Sequence, residues 1–254
     1  QFNSRQQMDE LVTIKASQAS AIQRTGRAGR VQAGTCYRLY SESDFLARPP
    51  FSDKSIELCD SAQIAVNLAS WGSLDLNDYF LLDQPNAKRW QNSLVLLEQL
   101  NITHEENLTP HGKAISQLPL HPRLAHMIIE AKSLNLAYTA CFVAAILSEG
   151  DPLHFDFQTG HHCDLELRLQ LFQGASIPHH FAQAQVKHKV ALRIKKLAKK
   201  LMGQLHISPQ PLDEHSAGLL IMLAYPERVA QLRGKGYRLR SGQGCQLLPN
   251  EAIP

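Results

Sequence analysis

Gln23-Arg24-Thr25-Gly26-Arg27-Ala28-Gly29-Arg30 is the stretch on which the reading of this chain turns. Three arginines recur at intervals of three, and glycines stand directly before Arg27 and Arg30. Backbone can therefore approach a ligand closely while several guanidinium groups gather near one point. Guanidinium donates planar, charge-assisted hydrogen bonds that match phosphate oxygens, so the cluster suits a polyphosphate. A solvated basic turn or a generic RNA contact is the bland alternative for an arbitrary Arg-x-x-Gly-Arg. Upstream, Ser17 is placed to cap a short helix carrying Ala19, Ile22 and Gln23, which Gly26 stops. Downstream, Gly34-Thr35-Cys36-Tyr37-Arg38-Leu39-Tyr40 alternates β-branched and aromatic residues and predicts a strand. Helix, basic turn and strand make an α/β edge, broken at Ala47-Arg48-Pro49-Pro50.

Beyond that break, helical spacing predominates. Ile64, Leu68 and Trp71 share a face until Gly72, and Trp90, Leu94, Leu97 and Leu100 mark a second helix. Thr109 caps a third with Pro110 in its first position. With a small polar hairpin near Glu105 to Leu108, these elements predict a winged-helix-like module. Pro119-Leu120-His121-Pro122 opens a bundle: Leu124, Met127, Ile128 and Ala131 line one face, Cys141 to Leu147 is apolar almost all round, and Asp164 caps Leu165 to Phe172. His215-Ser216 precedes a helix over Leu219 to Tyr225 that Pro226 ends. Short strand-like pieces, Tyr237-Arg238-Leu239 and Gln246-Leu247-Leu248, then suggest the start of a β-rich module.

The 254 residues, 44% apolar and 19% charged, are enough for a sizeable core and too apolar for wholesale disorder. No apolar run reaches the roughly 18 to 20 residues of a membrane span, so no membrane partner is expected. Five scattered cysteines match neither a disulfide framework nor a zinc pair and fit a reducing cytoplasm. A first residue of Gln1 reads as a piece of a longer protein.

The basic turn resembles motif VI (QRxGRxGR) of superfamily 2 helicases, and the DEAH-box/RHA branch in particular, at every specified position. Gly34 to Tyr40 is similar to the GxCYRLY segment that follows it in those proteins. Leu82-Asp83-Gln84-Pro85 resembles the LDPP turn of their winged helix, and Leu108-Thr109-Pro110-His111-Gly112-Lys113 is similar to LTxxGR. Leu118 to Met127 (LPLHPRLAHM) resembles the opening of their ratchet-like helical domain. With Ala224 to Gly234 (AYPERVAQLRG), it looks most like bacterial, cytoplasmic HrpB-type ATP-dependent helicases. The resemblance implies a mixed, mostly α chain. Residues 1–48 end a second RecA-like α/β lobe, 49–118 form a winged helix, 119–215 a ratchet-like helical bundle, and 216–254 begin a β-rich C-terminal domain.

Carried over to this sequence, the resemblance makes Arg27 and Arg30 arginine fingers on the γ-phosphate of ATP, worth roughly 10³ to 10⁵ in rate in such sites. Gln23 positions the nucleotide or the attacking water, and Gly26 brings backbone to the nucleotide. Arg24 carries no comparable role. Lys54-Ser55-Ile56-Glu57-Leu58 departs from the family's PEIxR-like stretch. No GxxxxGK[ST] loop, DEAH tetrapeptide or serine-alanine-threonine motif occurs. ATP and Mg²⁺ are therefore expected mainly on an N-terminal RecA-like lobe preceding Gln1, and this chain is expected to be inactive alone.

Between Lys187 and Lys200 stand seven basic residues and no acids, leaving 19 basic against 23 acidic residues elsewhere. Lys189, Arg193, Lys196 and Lys200 align at helical spacing opposite Val186, Val190, Leu197 and Leu201. Such a stripe can track the backbone of RNA or another single strand, with a solvated face or an anionic-membrane helix as the alternatives. His161-His162-Cys163 and His179-His180 match no zinc spacing, so no metal site is expected. Two functions of different class remain: part of an ATP-driven RNA helicase, or a non-catalytic nucleic-acid-binding or adaptor module derived from one.

Overall fold

The computed structural model describes residues 12–154, 164–174, 185–234 and 236–246, together with the backbone pairing of β1 (Phe2–Asn3) and β2 (Met8–Asp9). The chain is mostly helical with small sheets and divides into two units, residues 1–99 and 100–254.

In residues 1–99 the basic turn follows α1 (Gln18–Thr25), whose Ser17 cap accepts a hydrogen bond from the Ser20 amide at 3.2 Å. The proline break serves this helix. Pro49 and Pro50 carbonyls accept from the Gln18 and Ala19 amides at 2.9 and 3.0 Å, satisfying two donors that a helix start leaves free. Arg48 holds the break in place: it pairs with Asp44 at 2.6 Å and lies 3.8 Å from the Tyr40 ring centroid. Asp44 belongs to α2 (Glu42–Leu46), and hydrogen bonds from Lys15 and then Arg48 hold its carboxyl below the usual range.

The strand expected over Gly34 to Tyr40 is not present; the segment forms neither helix nor strand. Tyr37 and Leu39 are 86% and 97% exposed. A strand is completed by ladder hydrogen bonds to a neighbour, and no described residue pairs with this segment.

After α3 (Ser55–Leu58), α4 (Ala62–Trp71) packs on α5 (Ala87–Gln99). The buried side of α4 is Ala62, Ala65, Val66, Leu68 and Ala69 rather than the row ending in Trp71. Trp71 is exposed and tilts against the Tyr79 ring. Gly72, at φ 117°, ends the helix where a side chain would be strained. Lys54 pairs with Asp83, and Arg89 donates to the Glu57 carbonyl at 2.7 Å, so the KSIEL stretch is tied to both the Leu81–Pro85 turn and α5.

Residues 100–254 open on the expected hairpin, β3 (Thr103–His104) with β4 (Asn107–Leu108). Its two-residue turn puts Glu105 and Glu106 at φ 47° and 64°, the positive values of a type I′ turn. Thr109 caps α6 (Pro110–Ser116) through the Gly112 amide at 2.9 Å. The bundle consists of α7 (Pro122–Ser133), α8 (Ala137–Glu149), α9 (Leu165–Gln173), α10 (His188–Leu205) and α11 (Ala217–Ala224). α8 is its hub, buried from Thr139 to Ile146, with α7, α9, α10 and α11 packed on it. Burial pushes the Cys141 thiol up to about 12.

As expected, Asp164 caps α9, accepting from Glu166 N at 2.8 Å. Arg168 of α9 forks onto Asp151 at 2.6 and 3.2 Å. β5 (Leu153–His154) pairs antiparallel with β6 (Gln185–Val186), leading into α10. The chain then forms a three-stranded antiparallel sheet, β7 (Ala230–Arg233), β8 (Gly236–Leu239) and β9 (Gly244–Cys245). Of the expected strand Gln246–Leu248, residues 247 and 248 lie outside the described residues.

Arg123 joins the two ends of this unit. Its guanidinium, 3% exposed in a residue of α7, donates to the Ala224 carbonyl at 2.9 Å and reaches both Glu227 oxygens at 3.1 Å. The ring of Tyr225 lies 5.0 Å away. A buried guanidinium must find acceptors, and here it takes an end carbonyl of α11 and a carboxylate about a hundred residues on in sequence. Arg123→Met strands Glu227 and that carbonyl, so urea denaturation of the variant is expected to show a loss of about 3 kcal/mol. A loss below about 0.5 kcal/mol would remove Arg123 from this role.

Candidate nucleotide and nucleic-acid-contact residues

The basic turn winds on past α1 without leaving the helical path. Gly26 N donates to Ile22 O at 3.0 Å, then Arg27 N to Arg24 O at 3.2 Å and Ala28 N to Thr25 O at 3.1 Å. The last two bonds span three residues, and in such tightened turns positions three apart come to the same side. Arg24 and Arg27 are thereby brought toward one side. Gln23, Arg24, Arg27 and Arg30 are all exposed, and none makes a side-chain hydrogen bond or ion pair with the described residues. The other described arginines of this unit behave differently. Arg38 lies 4.5 Å from the Phe45 ring centroid, and Arg48 and Arg89 are bound to acceptors.

The glycine this turn requires is one that sequence reasoning used only as the start of a strand. A Cβ on Gly34 would lie 2.0 Å from the Ala28 carbonyl oxygen and 2.7 Å from its carbon, so the chain after Arg30 is folded back onto the turn. A Cβ on Gly26 would meet only ordinary contacts, the nearest at 3.5 Å, and one on Gly29 would meet nothing. Gly26 also has φ −61°, open to any residue, so this backbone does not demand a glycine there. The available signal was position: Gly34 stands just beyond three arginines in a segment without turn-forming partners.

On the second unit, α10 presents the basic stripe. Its buried seam is Ile194, Ala198 and Leu201, with Val190 and Leu197 half-buried. The expected apolar row is corrected accordingly. Val186 belongs to β6, and the seam follows the mixed three-and-four spacing of a helix rather than fours alone. Lys189, Lys196 and Lys200 are exposed and make no ion pair among the described residues. Arg193 is exposed but engaged: its Nε lies 2.6 Å from a Glu149 oxygen at the end of α8. Leu192, 67% exposed, also lies on the outer side, and Lys195 reaches the Phe172 ring at 5.9 Å. His161–Cys163 and His179–His180 lie outside the described residues.

No protein-family model matches the chain. The ATP-dependent RNA helicase HrpA of Escherichia coli is 39% identical over 157 residues, covering 59% of this chain and 12% of that protein. HrpB of the same organism is 28% identical over 254 residues, covering 99% of this chain and 28% of HrpB. The crystal structure of the E. coli DEAH/RHA helicase HrpB superposes with a TM-score of 0.78 at 27% identity, covering 99% of this chain. The homologues of this chain are HrpA/HrpB-type DEAH-box ATP-dependent RNA helicases. It spans under a third of HrpB and about an eighth of HrpA. The mostly helical architecture with small sheets matches HrpB. No helix among the described residues is long and apolar enough to cross a membrane.

Gly34→Ala is expected to lower thermal stability by about 1 to 3 kcal/mol, the cost of overpacking against backbone, whereas Gly29→Ala costs under about 1 kcal/mol. Thermal melts of the two variants side by side check this, and equal melting temperatures contradict the close approach.

Proposed function

We propose that this chain is a portion of an HrpB-type ATP-dependent RNA helicase and supplies that enzyme with arginine fingers and nucleic-acid-holding domains. The observation that carries the reading is that Arg27 and Arg30, in a turn matching QRxGRxGR, are exposed and have no side-chain partner among the described residues. The donor set fits ATP: guanidinium groups without an acid partner keep their hydrogen bonds for phosphate oxygens. It does not fit Mg²⁺, which takes carboxylate and phosphate oxygens, and the turn contains none. Mg²⁺ and the β-phosphate are thus assigned to a first RecA-like lobe of the complete enzyme.

In that enzyme Arg27 and Arg30 donate to the γ-phosphate across the interface between lobes, stabilising the charge that develops on its oxygens. Gln23 holds the nucleotide or water beside them, and Gly26 lets the backbone approach. Residues 49–118 act as a winged helix, and the bundle turns Lys189, Lys196 and Lys200 toward the phosphates of a single strand. Arg193 contributes less, since Glu149 already neutralises it.

In the complete enzyme, Arg27→Ala is expected to reduce RNA-stimulated ATP turnover by about 10³ or more while ATP binding is largely kept. Near-wild-type turnover would end the finger assignment. Replacing Lys189, Lys196 and Lys200 by glutamine is expected to weaken single-strand RNA binding and to lower the slope of log affinity against log salt by about 2. An unchanged slope would return the stripe to a solvated face.

A further inference from the structure

His111 and His126 are 15 residues apart in sequence and meet edge to face, with ring centroids 5.0 Å apart and planes at 88°. His111 is the second residue of α6. His126 and Glu130 stand one turn apart on α7 and project from the same face. His111 Nε2 lies 2.8 Å from His126 Nδ1, and His111 Nδ1 lies 3.7 Å from a Glu130 carboxylate oxygen. One donor atom from each of the three falls within 4.8 Å of the other two.

The backbone, rather than contact between the imidazoles, places His111. Thr109 caps α6, and the next residue after His111, Gly112, is pressed against the backbone just before β3, so closely that a Cβ there would lie 2.0 Å from the Ile102 carbonyl oxygen. The rings are half-buried, whereas the Glu130 side chain is 44% exposed.

We propose that His111, His126 and Glu130 bind one divalent transition-metal ion, zinc being the best fit, and that the ion cross-links α6 to α7. Two imidazoles and one carboxylate are a borderline donor set that favours Zn²⁺, Ni²⁺ or Cu²⁺ over the oxygen-seeking Mg²⁺. Tetrahedral zinc, with bonds to nitrogen of about 2.0 to 2.1 Å, sets two ligating nitrogens about 3.3 Å apart. That is roughly half an ångström wider than the present hydrogen bond, within reach of small side-chain rotations. Glu130 supplies the third ligand and water the fourth, because its side is open to solvent. Burial lowers the proton affinity of both rings, taking His126 to about 4, which favours the neutral form that ligates. The site lies entirely within residues 100–254 and does not depend on the helicase reading.

The test is titration of the 254-residue chain with Zn²⁺ by calorimetry, with a thermal melt and a Co²⁺ absorption spectrum alongside. Expected are one site per chain, a melting temperature that rises with Zn²⁺, no response to Mg²⁺, and a Co²⁺ spectrum without a thiolate charge-transfer band. His111→Gln and His126→Gln each weaken binding at least about tenfold. Wild-type affinity in either histidine variant, a thiolate band, or no binding by the wild-type chain overturns the proposal. Should a histidine variant lose its fold, Glu130→Gln decides: it changes a half-exposed helix position, and unchanged Zn²⁺ affinity in it equally overturns the site.

Discussion

The bundle depends on one requirement, that the buried guanidinium of Arg123 have acceptors. A charge out of water costs several kcal/mol unless it is paired and hydrogen-bonded. Arg123 meets this by drawing the end of α11 and Glu227 against α7. Two stretches separated by a hundred residues, LPLHPRLAHM and AYPERVAQLRG, are the two halves of that arrangement. Once α7 and α11 are set, the apolar surface of α8 is covered by both, and α10 closes the remaining side. Arg168, itself buried, repeats the device on Asp151 just beyond the end of α8.

Against that background the basic turn stands out by what its arginines do not do. Arg48, Arg123, Arg168 and Arg193 each have an acid, and those contacts organise the chain. Arg24, Arg27 and Arg30 have none among the described residues, although the turn that carries them is shaped at both ends. Pro49 and Pro50 satisfy the start of α1, and Gly34 closes on Ala28 beyond the turn. On the reading proposed above, a backbone held in place around guanidiniums without a partner among the described residues is suited to an anion. The lysines on α10 are likewise exposed, whereas Arg193 beside them is occupied by Glu149.

Much of this was legible in the sequence, for local reasons. Ser17, Thr109 and Asp164 cap their helices, Gly72 ends α4, the hairpin turns at Glu105 and Glu106, α7 buries the face its spacing predicts, and the apolar run of α8 is buried through Ile146, with Leu147 exposed. Each follows from chemistry within a few residues. Trp71 failed because three of the five buried residues of α4 are alanines, Ala62, Ala65 and Ala69 beside Val66 and Leu68, and a periodicity of large residues does not report them. Gly34 to Tyr40 failed as a strand because alternation marks a capacity to pair, while pairing needs a neighbour.

The sequence by itself determined the helices with their caps and the spacing of the motif arginines, since these are set by side chains reaching their own backbone. Only the tertiary structure decided which charges are spent and which remain available. Arg193 looks equivalent to Lys196 until Glu149 is seen beside it. Likewise His111 and His126 match no metal spacing, and they come together with Glu130 only because α6 is pressed against Ile102 and laid on α7. The physical reason is common to both: ion pairs and ligand sets act over a few ångströms of space, and separation along the chain does not fix that distance.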